Sequence, residues 1–216
     1  MSIHSLVSEF RSLCEELSSY IEQEGLSVRP YSSEHLPYFL QLPQQTQEEV
    51  TDQLHDYLSI CKNVYKDGHQ LKETSFFIHK ALEYYQFDHD PKLFEYIEHP
   101  RHIAEFYNLR NTQFFRTLNF FEVTSYTIED IYCRKWVDLY ERDEEITQMM
   151  YDKVMDLVRG RSKGNIFVSR EHVVKERVSL ERLELEIRGL HISTLHKNGE
   201  LVALASVING RARFLE

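Results

Sequence analysis

One tryptophan (Trp136) and three cysteines (Cys14, Cys61, Cys133) are all that the 216 residues contain of those two types. An odd, widely spaced set of thiols with no Cys-x-x-Cys pair excludes a disulfide framework and a thiolate zinc site, and fits a reducing, cytoplasmic setting. No apolar run approaches the roughly 20 residues that a bilayer crossing needs, so no membrane partner is expected. Residues 1–19 carry Glu9, Arg11, Glu15 and Glu16 among their apolar positions, which no secretory leader tolerates. Also missing are a Gly-x-x-x-x-Gly-Lys-Ser/Thr phosphate loop, a Gly-x-Gly-x-x-Gly turn and a Gly-x-Ser-x-Gly nucleophile elbow. No motif asks for catalysis, and the chain reads as a non-enzyme.

Basic charge is scarce in the first half alone. Residues 1–100 hold 7 Lys and Arg against 17 Asp and Glu, whereas residues 101–216 hold 18 of each. All five prolines (Pro30, Pro37, Pro43, Pro91, Pro100) also fall in the first hundred positions. The break predicts two modules, 1–100 and 101–210, with 211–216 as a tail whose last pair, Leu215-Glu216, has the look of a cloning remnant. An acidic front repels phosphate, so direct nucleic-acid contact by this region is not expected. What is abundant is bulk: hydrophobic residues make up 42%, with 13 Tyr and 13 Phe, enough to anchor a substantial core.

The first module reads as helical. Ile3, Val7, Phe10, Cys14, Leu17 and Ile21 recur at helical spacing and stop at Gly25. That stripe either packs on its own module or pairs with a second copy in a homodimer. Thr46, followed by Glu48 and Glu49, predicts an N-cap for a second helix bearing Val50, Leu54, Tyr57, Leu58, Cys61, Val64 and Tyr65. A third helix is expected over 71–85.

The second module changes period. Short strands are predicted at 103–107 and 113–116, an irregular helical stretch at 118–140, and an amphipathic helix at Glu144–Val158. Strands follow at 171–177, 183–195 and 200–208. Leu183, Leu185 and Ile187 alternate with charged residues, and Asn198-Gly199 supplies a hairpin turn. The fold class is therefore α+β: a helical module, then a five-stranded antiparallel sheet with flanking helices.

That order, with three short runs, resembles a PAS domain over residues 103–208. The runs are Thr117-Leu118-Asn119-Phe120-Phe121-Glu122-Val123-Thr124-Ser125-Tyr126-Thr127-Ile128-Glu129-Asp130-Ile131, then Trp136-Val137-Asp138-Leu139 before Asp143-Glu144, and Lys197-Asn198-Gly199-Glu200-Leu201-Val202 in the last hairpin. The resemblance implies a bent antiparallel sheet with helices on one face, enclosing a small cavity. Such cavities hold haem, flavin or metabolites, or are packed shut in adaptors. Candidate cavity residues are Phe114, Phe120, Tyr126, Trp136, Met149 and Met150. Cys133 lies three residues before Trp136, the position a flavin-adduct cysteine would need, so flavin adduct chemistry is not expected; nor is haem, since His172, the nearest candidate axial ligand, reads as an exposed strand residue. No cofactor is required. The implied role is the sensory or interaction input of a bacterial signalling protein, a transcriptional regulator with a LuxR-type output outside this chain, or else the input of a histidine kinase or cyclic-dinucleotide enzyme.

A competing reading rests on Asp88, His89, His99 and His102, imidazoles and carboxylates of the kind that bind zinc, in a metal-binding enzyme. Their spacing matches no zinc motif we know, and Pro91 and Pro100 mark turns. A third reading is an adaptor whose cavity is filled by Phe114, Phe120, Trp136 and Met150.

Overall fold

The apolar stripe of the first helix, α1 (Ile3–Gln23), is spent inside the chain: Leu6, Phe10, Leu13, Cys14, Leu17 and Ile21 are all buried. Phe10 stacks on Phe39 at 4.1 Å, in the 3-10 turn Phe39–Gln41, and α1 lies along α2 (Gln44–Lys66). The seam on which a homodimer was expected is thus covered by the chain's own second helix. The structure is a computed structural model describing residues 3–26, 36–97, 102–162, 166–168, 170–177 and 183–214; Pro30, His99 and Pro100 lie outside them.

α2 begins two residues before the expected cap. Pro43 holds the N-cap position in extended conformation and Thr46 sits inside the first turn, where Gln44 and Gln45 donate to Glu48 and Glu49 one turn on. The third helix, α3 (Thr74–Tyr85), starts later than residue 71 because Leu71 is held elsewhere: its N–H donates to Glu24 Oε1 at 2.9 Å, the same oxygen that accepts from Tyr65. One turn of helix, α4 (Lys92–Glu95), completes the front half.

The back half carries α5 (Ile128–Cys133), α6 (Trp136–Leu139) and α7 (Glu144–Val158), after a 3-10 turn at Leu118–Glu122. Thr127 and Asp130 form a capping box on α5, and Asp143 caps α7 through Ile146 N–H at 3.1 Å. Glu129, by contrast, is no mere helix-start charge. It is buried and accepts from the Tyr38 and Phe39 N–H groups at 2.9 Å each, tying the back half to the front.

Among the described residues, eight strands make one curled antiparallel sheet: β1 (Asp88–His89), β2 (Ile103–Asn108), β3 (Gln113–Arg116), β4 (Tyr140–Arg142), β5 (Ile166–Val168), β6 (His172–Glu176), β7 (Leu183–Lys197) and β8 (Glu200–Phe214). The main path runs β3-β2-β8-β7-β6-β4, and β1 and β5 also pair with β7. Five of these match the expected strands, and the expectation of a five-stranded sheet was too small. Two of the three additional strands, β1 and β5, follow from the length of β7, and β4 adds to β6. At 15 residues, β7 bonds β8 along one edge and takes β6, β5 and β1 in succession along the other. β8 likewise continues through Phe214, so the strand runs into the residues read as a tail.

Both faces of the sheet are covered. Phe106 and Phe115 pack at 4.7 Å, and Tyr57 and Phe77 reach Phe115 from α2 and α3 at 5.7 and 5.1 Å. Tyr57 also donates to the Arg116 carbonyl at 2.9 Å. The opposite face of the sheet looks onto α7 and the short helices. One continuous set of buried apolar side chains therefore joins the helices of the front half to the sheet.

Candidate functional site: a cavity under the sheet

Two irregularities keep apolar and polar side chains on the correct sides of the sheet. In β2–β3 the register slips between Phe106 and Tyr107, leaving Phe114 as the extra residue, so that Gln113 returns to the face of Glu105 and Tyr107. In β7 the slip at Arg188 lets Leu183, Leu185 and Ile187 be followed on the same face by Leu190 and Ile192. Without these bulges the alternation would carry the second half of each strand to the wrong side.

Under that face lies a cavity of about 360 Å³. Its roof is β2, β6, β7 and β8, contributing Glu105, Val174, Ile187, Ile192, Leu204 and Ser206 among others; its floor is Phe120, Trp136, Tyr140, Met150, Val154 and Val158. Around its mouth stand three of the large apolar side chains that the fold leaves exposed: Leu109, Val137 and Tyr151, at 45, 52 and 59%.

Polar side chains interrupt the apolar lining, Arg110 and Ser206 among them, and the two carboxylates are engaged. Glu105 Oε1 accepts from Gln113 Nε2 at 2.7 Å and Oε2 from Tyr107 at 2.9 Å. Burial raises its carboxyl above the ordinary glutamate range, against the pull of those donors and of the Arg116 and Arg142 charges. Glu176 accepts from Ser125 N–H at 2.7 Å, Thr124 Oγ1 at 3.2 Å, Leu183 N–H at 3.2 Å and the Ser125 hydroxyl. Arg142 is different. Its guanidinium lies over the Trp136 ring at 4.8 Å, and Nη1 donates to the Met150 thioether at 3.0 Å. Its Nε is buried with no partner, and no carboxylate among the described residues comes within ion-pair distance of it. Desolvation lowers its pKa from the usual arginine value.

The Glu105 shift has a measurable consequence. A carboxyl whose folded pKa lies above its unfolded one favours the fold most when both states are protonated, and that advantage is lost as pH rises through the folded value. Relative to Glu105→Gln, the wild type is therefore expected to lose stability as pH climbs from about 4.3, the unfolded glutamate value. Urea unfolding of both proteins across pH 4–8 checks this, and parallel curves would refute it.

Of the six expected cavity residues, the structure brings together Phe120, Trp136 and Met150. Phe114 is on the other face, edge-on to Tyr85 at 5.1 Å and near Phe87, because the bulge turns it toward α3. Tyr126 is buried beside the cavity, its hydroxyl donating to the Leu139 carbonyl at 2.6 Å. Met149 packs on the core outside the lining. With Phe114 displaced, the aromatic filling of an adaptor is incomplete.

The residues proposed as metal ligands do not converge. Asp88 is exposed and pairs through its backbone with His196, His89 Nδ1 faces the Asp90 carbonyl at 3.1 Å, and His102 Nδ1 faces that of Tyr96 at 2.6 Å. His99 lies outside the described residues. Among those described, no group of three or more His, Cys, Asp or Glu side chains is placed to hold a metal ion. His172 is buried rather than exposed; its Nδ1 is held by the Arg170 carbonyl, and desolvation lowers its pKa. Burial, and next the Glu129 charge, push the Cys133 thiol far up, leaving little thiolate. No described helix is long and apolar enough to cross a membrane.

The reading from sequence missed Glu105, Arg142 and Glu176. Glu105 was open to detection, as a lone acid on the alternating face of the apolar run Ile103–Asn108. Compared with known protein families the chain matches no family model, and no curated protein matches it.

Proposed function

We propose that residues 103–214 form a PAS-like, small-molecule-sensing domain, the non-catalytic input region of a cytoplasmic bacterial signalling protein that regulates transcription. The cavity carries the reading. It falls within the size range of small-molecule sites, and like them it has an apolar wall, a few placed polar groups and a mouth open between elements. The curled antiparallel sheet, with helices against the cavity face, supports the PAS resemblance. A ligand here acts only by binding one arrangement of the sheet better than another, and that difference is what an output receives.

Trp136 makes the test direct, since the only tryptophan of the chain lines the cavity. Neutral 3-phenylpropanamide is expected to change Trp136 emission and raise the melting temperature of the full chain by mass action. In a variant with the cavity filled, Leu204→Trp read by melting alone, the rise should disappear. If wild type and filled variant respond alike, the sensing role is lost.

A further inference from the structure

We infer that the cavity takes an amphipathic organic acid, an apolar body of about a dozen non-hydrogen atoms ending in one carboxylate, and that Arg142 is the residue that binds the acid group. This rests on the sensing role proposed above and names the ligand class for the same cavity. The size follows from the volume: 360 Å³ is the share of about 12 water-sized groups at roughly 30 Å³ each.

The charge follows from what is left over. Arg142 is partly buried, and a guanidinium drawn out of water to that extent is normally met by a carboxylate or by several carbonyl oxygens, because an unpaired cation is costly to desolvate. Arg142 faces instead a ring and a thioether, which is a weak acceptor, and its Nε is shielded from solvent without a partner. Glu105 does not fill the role. It is spent on Tyr107 and Gln113 and forms no ion pair with Arg142. Glu176 is likewise spent, on Thr124, Ser125 and Leu183.

The cavity is thus left with a cation whose fork geometry suits a carboxylate. Trp136 lies against the guanidinium at 4.8 Å and gives it a ring on one side, which leaves the fork to meet a planar acid group from the cavity. The remaining wall, from Ile187, Ile192 and Leu204 above to Val154 and Val158 below, is aliphatic and fits a chain or a phenyl ring.

The experiment compares matched pairs on the full chain: octanoate with octanamide, and 3-phenylpropionate with 3-phenylpropanamide, titrated against Trp136 emission at neutral pH. Each acid is expected to bind about tenfold or more tightly than its amide, the factor carried by a charge-assisted hydrogen bond. Arg142→Gln is expected to erase the preference while leaving amide binding within a few-fold. Arg142→Lys, which keeps the charge, should retain part of it, and this separates loss of the cation from loss of the fold. Equal binding of acid and amide by the wild type overturns the acid class and leaves the sensing cavity standing. So does a preference that survives in Arg142→Gln. Failure of all four probes, acids and amides alike, overturns both.

Discussion

Replacing Glu176 by alanine is expected to destabilise the protein by about 3 kcal/mol or more, because it strands several buried donors at once. The carboxylate stands at the end of β6 and is 6% exposed. Four donors converge on it: the Ser125 N–H and hydroxyl, the Thr124 hydroxyl and the Leu183 N–H. Thr124 in turn bonds Tyr140 at 2.7 Å. One side chain thereby fixes the loop before α5 and the start of β7 to the edge of the cavity. Truncation leaves donors buried and unpaired, each a penalty of about 1–3 kcal/mol. Glu176→Gln keeps the shape and one acceptor but turns an amide N–H toward groups that donate, so it should fall between wild type and alanine. Urea unfolding of the three proteins gives the order. An alanine variant within 1 kcal/mol of wild type, a small change by the same standard, would mean the network contributes little to holding the loop.

The second large effect runs the other way. Arg116→Met is expected to stabilise the protein, by about 1–4 kcal/mol on the precedent of buried charges replaced by apolar side chains of similar size. Arg116 is fully buried, and Nε and both terminal nitrogens have no hydrogen-bond partner. What it has are rings: its guanidinium lies 4.7 Å from Tyr132 and 5.4 Å from Phe120. A desolvated cation over a ring is worth about 2 kcal/mol, less than the several kcal/mol that stripping its water costs. Methionine fits the same slot, keeps the ring contacts and carries no charge.

One offset is foreseeable. Glu105 is the cross-strand partner of Arg116, and losing this cation makes its ionised form more costly. The gain should therefore be largest when Arg116→Met is made together with Glu105→Gln, and a double-mutant cycle isolates the coupling. Each kcal/mol gained should raise the midpoint of thermal unfolding by about 2–4 °C for a chain of this length. A fall in the midpoint on both backgrounds would show that Arg116 is stabilising where it stands.

How far the sequence told all this depends on the element. α1 and α7 were legible because their apolar residues recur at 3.6-residue spacing, and α7 begins and ends as read. The β7–β8 hairpin was legible from Asn198-Gly199, both of which adopt positive φ. Thr46 misled because a proline already held the cap position, and the late start of α3 was hidden because the group that stops it, Glu24, is 47 residues away. β1, β4 and β5 span 2 to 3 residues, too short for any alternation to register. β1 and β5 exist because β7 is long enough to offer them an edge, and β4 takes the outer edge of β6.

The cavity was half legible. Phe120, Trp136 and Met150 were found because helical aromatic and thioether side chains line such spaces, whereas Phe114 was misplaced by a bulge that sequence alternation does not reveal. Glu105 and Arg142 escaped because neither forms a motif. Their significance comes from burial and from what does or does not meet them, which only three dimensions supply.

The sheet itself has one more implication. It is a party wall, with the cavity on one side and α2 and α3 pressed to the other through Phe106, Phe115 and the Tyr57 hydroxyl. Whatever flexes the wall from the hollow side is felt by the tenants behind it, with no hinge or lever between. Under the proposed sensing role, a signal entering at Trp136 would have only the thickness of a single pleated layer to cross.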